Sequence, residues 1–241
     1  MIATLVEKKP ETNDVISFLF KAGGIFTYLP GQYLYITLPK LKFPDSRGPT
    51  RHFTISSSPT EKNILSFTTK IRQESGFKRS LAELSLGEEV EVEGPTGTLI
   101  LDEHEKGTHI LIAGGIGVTP FRSFIKYNID KSLTDINLYL LNSVTTPDDI
   151  IFKKDFDNWG NHTNIKINIT VTKPEESKTK WTGLVGRIDS DMINSLYANY
   201  NLQATTFWLC GPPALVTAME SILRSMNIKG NKIRTEKFTG Y

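Results

Sequence analysis

The chain has 241 residues, 39% hydrophobic and 22% charged, with a formal net charge of +2. That length suits one large or two ordinary globular domains, and that charge gives no argument for a nucleic-acid or acidic-membrane partner. The single cysteine, Cys210, excludes an internal disulfide, a built-in iron–sulfur cluster and a cysteine-based zinc site, so redox chemistry here would need an organic cofactor or a separate metal-carrying protein.

The N-terminal run Met1-Ile-Ala-Thr-Leu-Val reads as a first strand, since it lacks the basic and apolar regions of a signal peptide. No apolar run approaches the ~18 residues of a membrane span. With no disulfide framework, the expected setting is cytoplasmic. Residues 14–21, 32–38, 52–57, 65–71 and 89–93 alternate with period two between Gly and Pro turns. They predict a small antiparallel β-barrel over residues 1–103, with one helical interruption at 78–85 as a plug or cap.

The charged, turn-prone stretch Asp102-Glu-His-Glu-Lys106 marks the expected boundary, with a second domain over 107–241. There the pattern changes to apolar strands at 109–113, 137–141, 165–171 and 206–210, alternating with helices at 120–131, from about Pro147, and at 213–226. The last helix places Leu215, Val216, Met219, Ile222, Leu223 and Met226 on one face. Alternation of this kind predicts an α/β doubly wound parallel sheet that binds ligands beyond the carboxyl ends of its strands.

Three strand ends carry candidate chemistry. The run Ala113-Gly-Gly-Ile-Gly-Val-Thr-Pro120 passes from a strand through glycines into a helix. Its open backbone suits a pyrophosphate, although the third glycine of the usual dinucleotide fingerprint and its following acidic residue are missing, Leu141-Asn-Ser-Val144 standing there instead. The competing reading is a glycine-closed turn with no ligand. Cys210-Gly-Pro-Pro213 ends the fourth strand, which in a common doubly wound order lies beside the first, so Cys210 is expected near Thr119 rather than as inert core. Arg51-His-Phe-Thr54 offers a cation, an aromatic face and a hydroxyl, as a flavin requires. An ordinary amphipathic strand fits these four residues equally.

These segments together resemble the ferredoxin–NADP⁺ reductase superfamily of flavoproteins. Pro30-Gly-Gln-Tyr33, Arg51-His-Phe-Thr54, Gly76-Phe-Lys-Arg-Ser80, Gly94-Pro-Thr-Gly97, Gly114-Gly-Ile-Gly-Val-Thr-Pro120 and Cys210-Gly-Pro-Pro213 are similar to its motifs and follow in order, and Glu236-Lys-Phe-Thr-Gly-Tyr241 looks like the tail of some bacterial members. The resemblance implies bound FAD, with NADH or NADPH as hydride donor. It implies that Arg51 pairs with the flavin pyrophosphate, that Phe53 packs on the flavin with His52 beside it, and that Thr54 hydrogen-bonds near N5. The backbone of Thr69, Lys70 and Ile71 would line the ring, and Gly76, Phe77 and Ser80 would hold the phosphates. On the nicotinamide side the implied contacts are Gly115, Gly117, Val118, Thr119, Pro120, Asn142, Ser143, Cys210, Gly211 and Pro212. Thr54, Cys210 and Tyr241 are the implied catalytic positions, Tyr241 by stacking on the flavin with Phe238 as a competitor. Lys173 either meets a 2′-phosphate or is surface charge.

The function implied is an NAD(P)H-dependent flavoprotein reductase. Electrons would leave for a separate carrier protein such as a ferredoxin, flavodoxin or haem protein, because no ferredoxin-type cysteine set is present. A reductase of free flavin or other diffusible acceptors, and a non-catalytic nucleotide-binding module, are the alternatives.

Overall fold

A computed structural model of the protein describes residues 1–239; Tyr241, assigned above to flavin stacking, lies outside the described residues. The chain divides into two compact units, one of residues 1–101 with 122–127, the other of 102–121 with 128 onward. Among the described residues no helix is long and apolar enough to cross a membrane.

The first unit is built on β1 (Ile2–Pro10), β2 (Val15–Ala22), β3 (Tyr33–Thr37), β4 (Thr50–Thr54), β5 (Ile64–Lys70) and β6 (Glu89–Thr96), ordered β4-β3-β6-β1-β2-β5. All its pairings are antiparallel. The two outer strands meet where Ile55 bridges Phe67 and the Ser56 N–H donates to the Ser66 carbonyl at 2.8 Å, closing the sheet into a barrel. Period-two alternation sends Leu5, Phe18, Phe20, Leu34, Ile36, Phe67, Val90 and Val92 inward. Helix α1 (Gly76–Ala82) adds Phe77 and Leu81 to that core, each contributing about 1.5–3 kcal/mol on full burial. The helix starts at Gly76 rather than 78 because the Ser75 hydroxyl caps it, accepting from the Lys78 N–H at 3.2 Å.

Residues 122–127 complete this unit. Arg122 donates to the Ser56 carbonyl at 2.8 Å and pairs with Glu61 at 3.0 Å, and the Ser123 hydroxyl donates to the Ser57 carbonyl at 2.7 Å.

The second unit carries β7 (Gly107–Gly114), β8 (Ile136–Val144), β9 (Ile165–Val171), β10 (Leu184–Val185), β11 (Thr206–Gly211) and β12 (Ile233–Lys237), ordered β10-β9-β8-β7-β11-β12. Every pairing is parallel, so the predicted antiparallel barrel and parallel α/β sheet both hold. Its helices are α2 (Thr119–Asp130, whose middle belongs to the first unit), α3 (Lys153–Trp159), α4 (Ser190–Tyr197) and α5 (Pro213–Ser225). The helix expected from Pro147 is a single 3-10 turn, Pro147–Asp149; Phe152, at φ +57°, breaks the chain before α3 begins. At the opposite end of the sheet from the strand tips, His109 accepts from the Trp208 indole N–H at 3.1 Å. Its Nε2 therefore donates to the Glu105 carbonyl, at 2.8 Å. Burial first, and then the nearby cations Arg234 and Lys232, lower the pKa of this ring and keep it neutral, against a raising effect from Glu105.

Candidate functional site

In the barrel, Arg51 turns its guanidinium into the loop that precedes β4. Nη2 donates to Asp45 Oδ1 at 2.5 Å, while Nη1 donates to the carbonyls of Arg47, Gly48 and Thr50 at 3.0, 3.0 and 2.7 Å. The second carboxylate oxygen accepts from the Phe77 N–H at 2.9 Å and the Ser75 hydroxyl at 3.2 Å. Both side chains are largely covered, 11% and 8% exposed. Burial works to raise the Asp45 pKa, but the Phe77 and Arg47 amides and the Arg51 charge outweigh it and hold it at about 2. Beside this pair stands Lys78, buried, its pKa lowered to about 8 by burial and then by Arg72, Arg47 and Arg51, against a raising effect from Glu74. Arg47, Arg51, Arg72 and Lys78 thus outnumber Asp45 and Glu74, and a buried cation crowded by like charges marks a place for an anion.

The neighbouring positions part from expectation in two respects. Phe53 is 3% exposed and stacks on Phe67 with ring centroids 4.3 Å apart, so its face is filled by the barrel core rather than left open to a flavin. The next residue back, His52, takes the outer side of the strand between Tyr33 and Tyr35. Ser80, expected on phosphate, instead donates to the Gly76 carbonyl at 2.7 Å and accepts from the Phe43 N–H at 3.1 Å, tying the loop to α1. Gly76 is required there because a Cβ would strike the carbonyls of Pro44 and Phe43. Thr54 is buried, and Thr69 is fully buried with its hydroxyl unpartnered. Lys70 pairs with Asp14 at 2.5 Å, and Ile71 packs on the barrel core.

In the second unit the site is made of backbone. A 3-10 turn, Gly115–Val118, links β7 to α2, with Gly115 at φ +51°, a conformation that favours glycine. A Cβ on Gly117 would run into the Cys210 carbonyl and the Gly211 Cα, and Gly211 itself, at φ +140°, lies against the backbone of Gly114. These glycines press the tips of β7 and β11 together, in the register Ala113 to Cys210. Val118 and Thr119 are buried, the Thr119 hydroxyl donating to the Ile116 carbonyl at 3.1 Å. Pro120 lies in the first turn of α2, and Pro212 is the residue before α5. Ser143 registers with Gly114, and Asn142, beside Ala113, is fully buried with both amide atoms unpartnered. Such an amide costs about 1–3 kcal/mol unless something meets it.

Cys210 is wholly buried, and burial, followed by the charge of Glu236, raises its thiol pKa well above the ordinary range. It stands as a neutral thiol. Glu236 registers with it across β11 and β12, and burial lifts that carboxyl to about 7. Lys173 is not gathered into this group; it pairs with Glu176 at 2.7 Å on the surface. Sequence reasoning missed Asp45, Lys78 and Glu236 as members of these two places.

Both places fit the groups that the resemblance implies. The cation excess around Arg51 suits a phosphate-bearing flavin, and the glycine turn, with open space beside Gly115, suits close approach of a nucleotide pyrophosphate. Family models agree: that of the oxidoreductase FAD-binding domain matches residues 2–117, and that of the oxidoreductase NAD-binding domain residues 111–221. Together the two matches span residues 2–221 and define a chain that pairs an oxidoreductase FAD-binding domain with an oxidoreductase NAD-binding domain.

The chain is 28% identical to the glycine betaine monooxygenase reductase subunit of Chromohalobacter salexigens, covering 95% of this chain and 61% of that one. It is 30% identical to the sulfhydrogenase 1 subunit gamma of Pyrococcus furiosus, covering 85% and 67%. A ferredoxin NADP⁺ reductase from Neisseria gonorrhoeae, solved with FAD and NADP, superposes with a TM-score of 0.81 at 19% identity over 98% of each chain. The chain belongs to the ferredoxin–NADP⁺ reductase superfamily.

Proposed function

We propose that the protein is a reductase that draws electrons from NADH through FAD and delivers them to an acceptor protein of the oxygenase or haem class. FAD, when bound, supplies the step between a two-electron hydride donor and one-electron acceptors. The observation that carries the reading is the surplus of cations around Arg51 and Lys78 within the FAD-matching stretch. On this reading Arg51 and Lys78 would neutralise the flavin phosphates, and Thr54 and the buried Thr69 hydroxyl would offer hydrogen bonds to the ring. Gly115 and Gly117 would admit the nucleotide pyrophosphate, Thr119 and Ser143 would border it, and Asn142 would find there the partner its buried amide lacks. Cys210 lends a neutral, polarisable wall and takes no covalent part, because its thiol is held protonated.

NADH is the favoured donor. Lys173, the cation expected to meet a 2′-phosphate, is committed to Glu176 in an acidic loop that also holds Glu175. A relative named as the reductase subunit of a monooxygenase supports an acceptor on another polypeptide. A lone, buried thiol suits a cytoplasmic setting.

The purified protein should be yellow, and anaerobic NADH should bleach its flavin absorbance, with NADPH at least tenfold less efficient. A protein that retains no FAD on reconstitution, or holds it without reduction by either nucleotide, overturns the reading. Release of the flavin on ultrafiltration, with turnover restored by added free flavin, would replace the protein acceptor by a diffusible one.

A further inference from the structure

We infer that Asp45 is a positioning residue for flavin phosphate recognition, holding the Arg51 guanidinium fixed against the Phe77 turn that opens α1. This rests on the proposed assignment of Arg51 to the flavin phosphates. The carboxylate bridges two elements far apart in the chain: one oxygen serves Arg51 and the Arg47 N–H, the other Ser75 and the Phe77 N–H.

The loop that carries Asp45 is anchored without Arg51. The Phe43 N–H donates to Ser80, the Arg79 guanidinium lies 3.6 Å from the Phe43 ring centroid, and Lys42 donates to the Glu83 carbonyl at 2.9 Å. Gly76 admits the Pro44 carbonyl at a distance that leaves no room for a side chain. Asp45 is therefore a fixed reference against which Arg51 is set, rather than an anion that follows it.

The geometry at Arg51 points the same way. Nη1 is spent on three carbonyls and Nη2 on Asp45, while Nε has no hydrogen-bond partner among the described residues. The guanidinium is planar with five N–H groups, so the Nε hydrogen and one Nη2 hydrogen are left to donate to a phosphate. Fixing the other edge removes rotamer freedom before the ligand arrives. Lys78 feels Arg72, Arg47 and Arg51 against Glu74, so the Asp45 charge leaves this group net positive.

The test measures binding of FAD and of riboflavin, which carries no phosphate, to the deflavinated full chain by flavin fluorescence. The proteins compared are the wild type, Asp45→Asn, Asp45→Glu, Arg51→Ala and the Asp45→Asn/Arg51→Ala double variant. Asp45→Asn should weaken FAD about tenfold and Asp45→Glu about threefold, riboflavin affinity should not move, and Asp45→Asn should add less than about twofold on top of Arg51→Ala. Unchanged or tighter FAD binding by Asp45→Asn, or an equal loss in the Arg51→Ala background, overturns the inference while leaving Arg51 in place. Unchanged FAD binding by Arg51→Ala removes the assignment of Arg51 and the inference together. Should Asp45→Asn fail to fold, Asp45→Glu decides: wild-type affinity for FAD overturns the inference, and a loss confined to FAD supports it.

Discussion

In the proposed function the two candidate places recognise anions by opposite means. The barrel uses charged side chains: Arg51, Lys78 and their neighbours, set by Asp45. The parallel sheet uses main chain, with Gly117 and Gly211 keeping side chains out so that two strand tips meet, and Gly115 taking a positive φ. A site built from charges can be graded by substitution and by salt, since each charge carries part of the work. A site built from the absence of side chains fails through volume, abruptly.

The largest effect should come from adding volume to the second place. Gly117→Val should cost about 3 kcal/mol through overpacking against Cys210 and Gly211. Calorimetry should show a lowered midpoint, and reduction by NADH should be lost while FAD is retained. Wild-type stability of this variant would break the contrast. Next comes Arg51→Ala in the barrel: loss of charge-assisted bonds of about 1.5–3 kcal/mol each predicts FAD binding weaker by roughly 100-fold, with a shallower salt dependence than the wild type. Equal salt slopes in equilibrium titrations would show that charge is not what this place uses.

A third test uses pH. Glu236 is lifted to about 7 by burial, so its folded-state pKa exceeds its unfolded one. The stability linked to it is complete below the unfolded value and disappears as pH rises through about 7. Glu236→Gln should therefore be more stable than the wild type at pH 8, by up to about 2–3 kcal/mol, and no different at pH 4. Denaturant titrations at the two pH values check this, and a gain at pH 4 equal to that at pH 8 refutes it. His109 runs the other way. Its pKa is depressed, so its contribution is present above the unfolded value near 6.5 and lost as pH falls through the folded one. Smallest of all, Lys173→Ala should change the ratio of NADH to NADPH efficiency by less than about twofold, because an exposed pair with Glu176 contributes little. A larger shift in steady-state kinetics would return Lys173 to the coenzyme.

Local pattern carried most of the fold. Alternation located the barrel strands, and the one-faced spacing from Leu215 to Met226 located α5. What escaped depends on partners distant in sequence. In β12, Ile-Arg-Thr-Glu-Lys offers only one large apolar residue, and its strand character comes from pairing with β11. Helix α4 went unread although Asp189 caps it by accepting from the Met192 N–H. The glycines of the second place were legible because backbone requirements are local. Asp45 was not: it sits in an irregular loop, and the amide it holds belongs to Phe77, thirty-two residues on. The inward turn of Phe53 likewise followed from Phe67 across the barrel.

Helix α2 has a consequence for how such a protein can be rearranged. Residues 122–127 complete the first unit although they are coded within the second. A gene segment ending at Leu101 would encode a barrel in which Glu61 has lost Arg122 and the Ser57 carbonyl has lost its donor, Ser123. Recombination at that point exchanges part of one half's packing along with the other half. A crossover that respects the barrel must carry the matching turn of α2 with it, so hybrids joined at residue 101 should improve when Arg122 and Ser123 are restored to their barrel of origin.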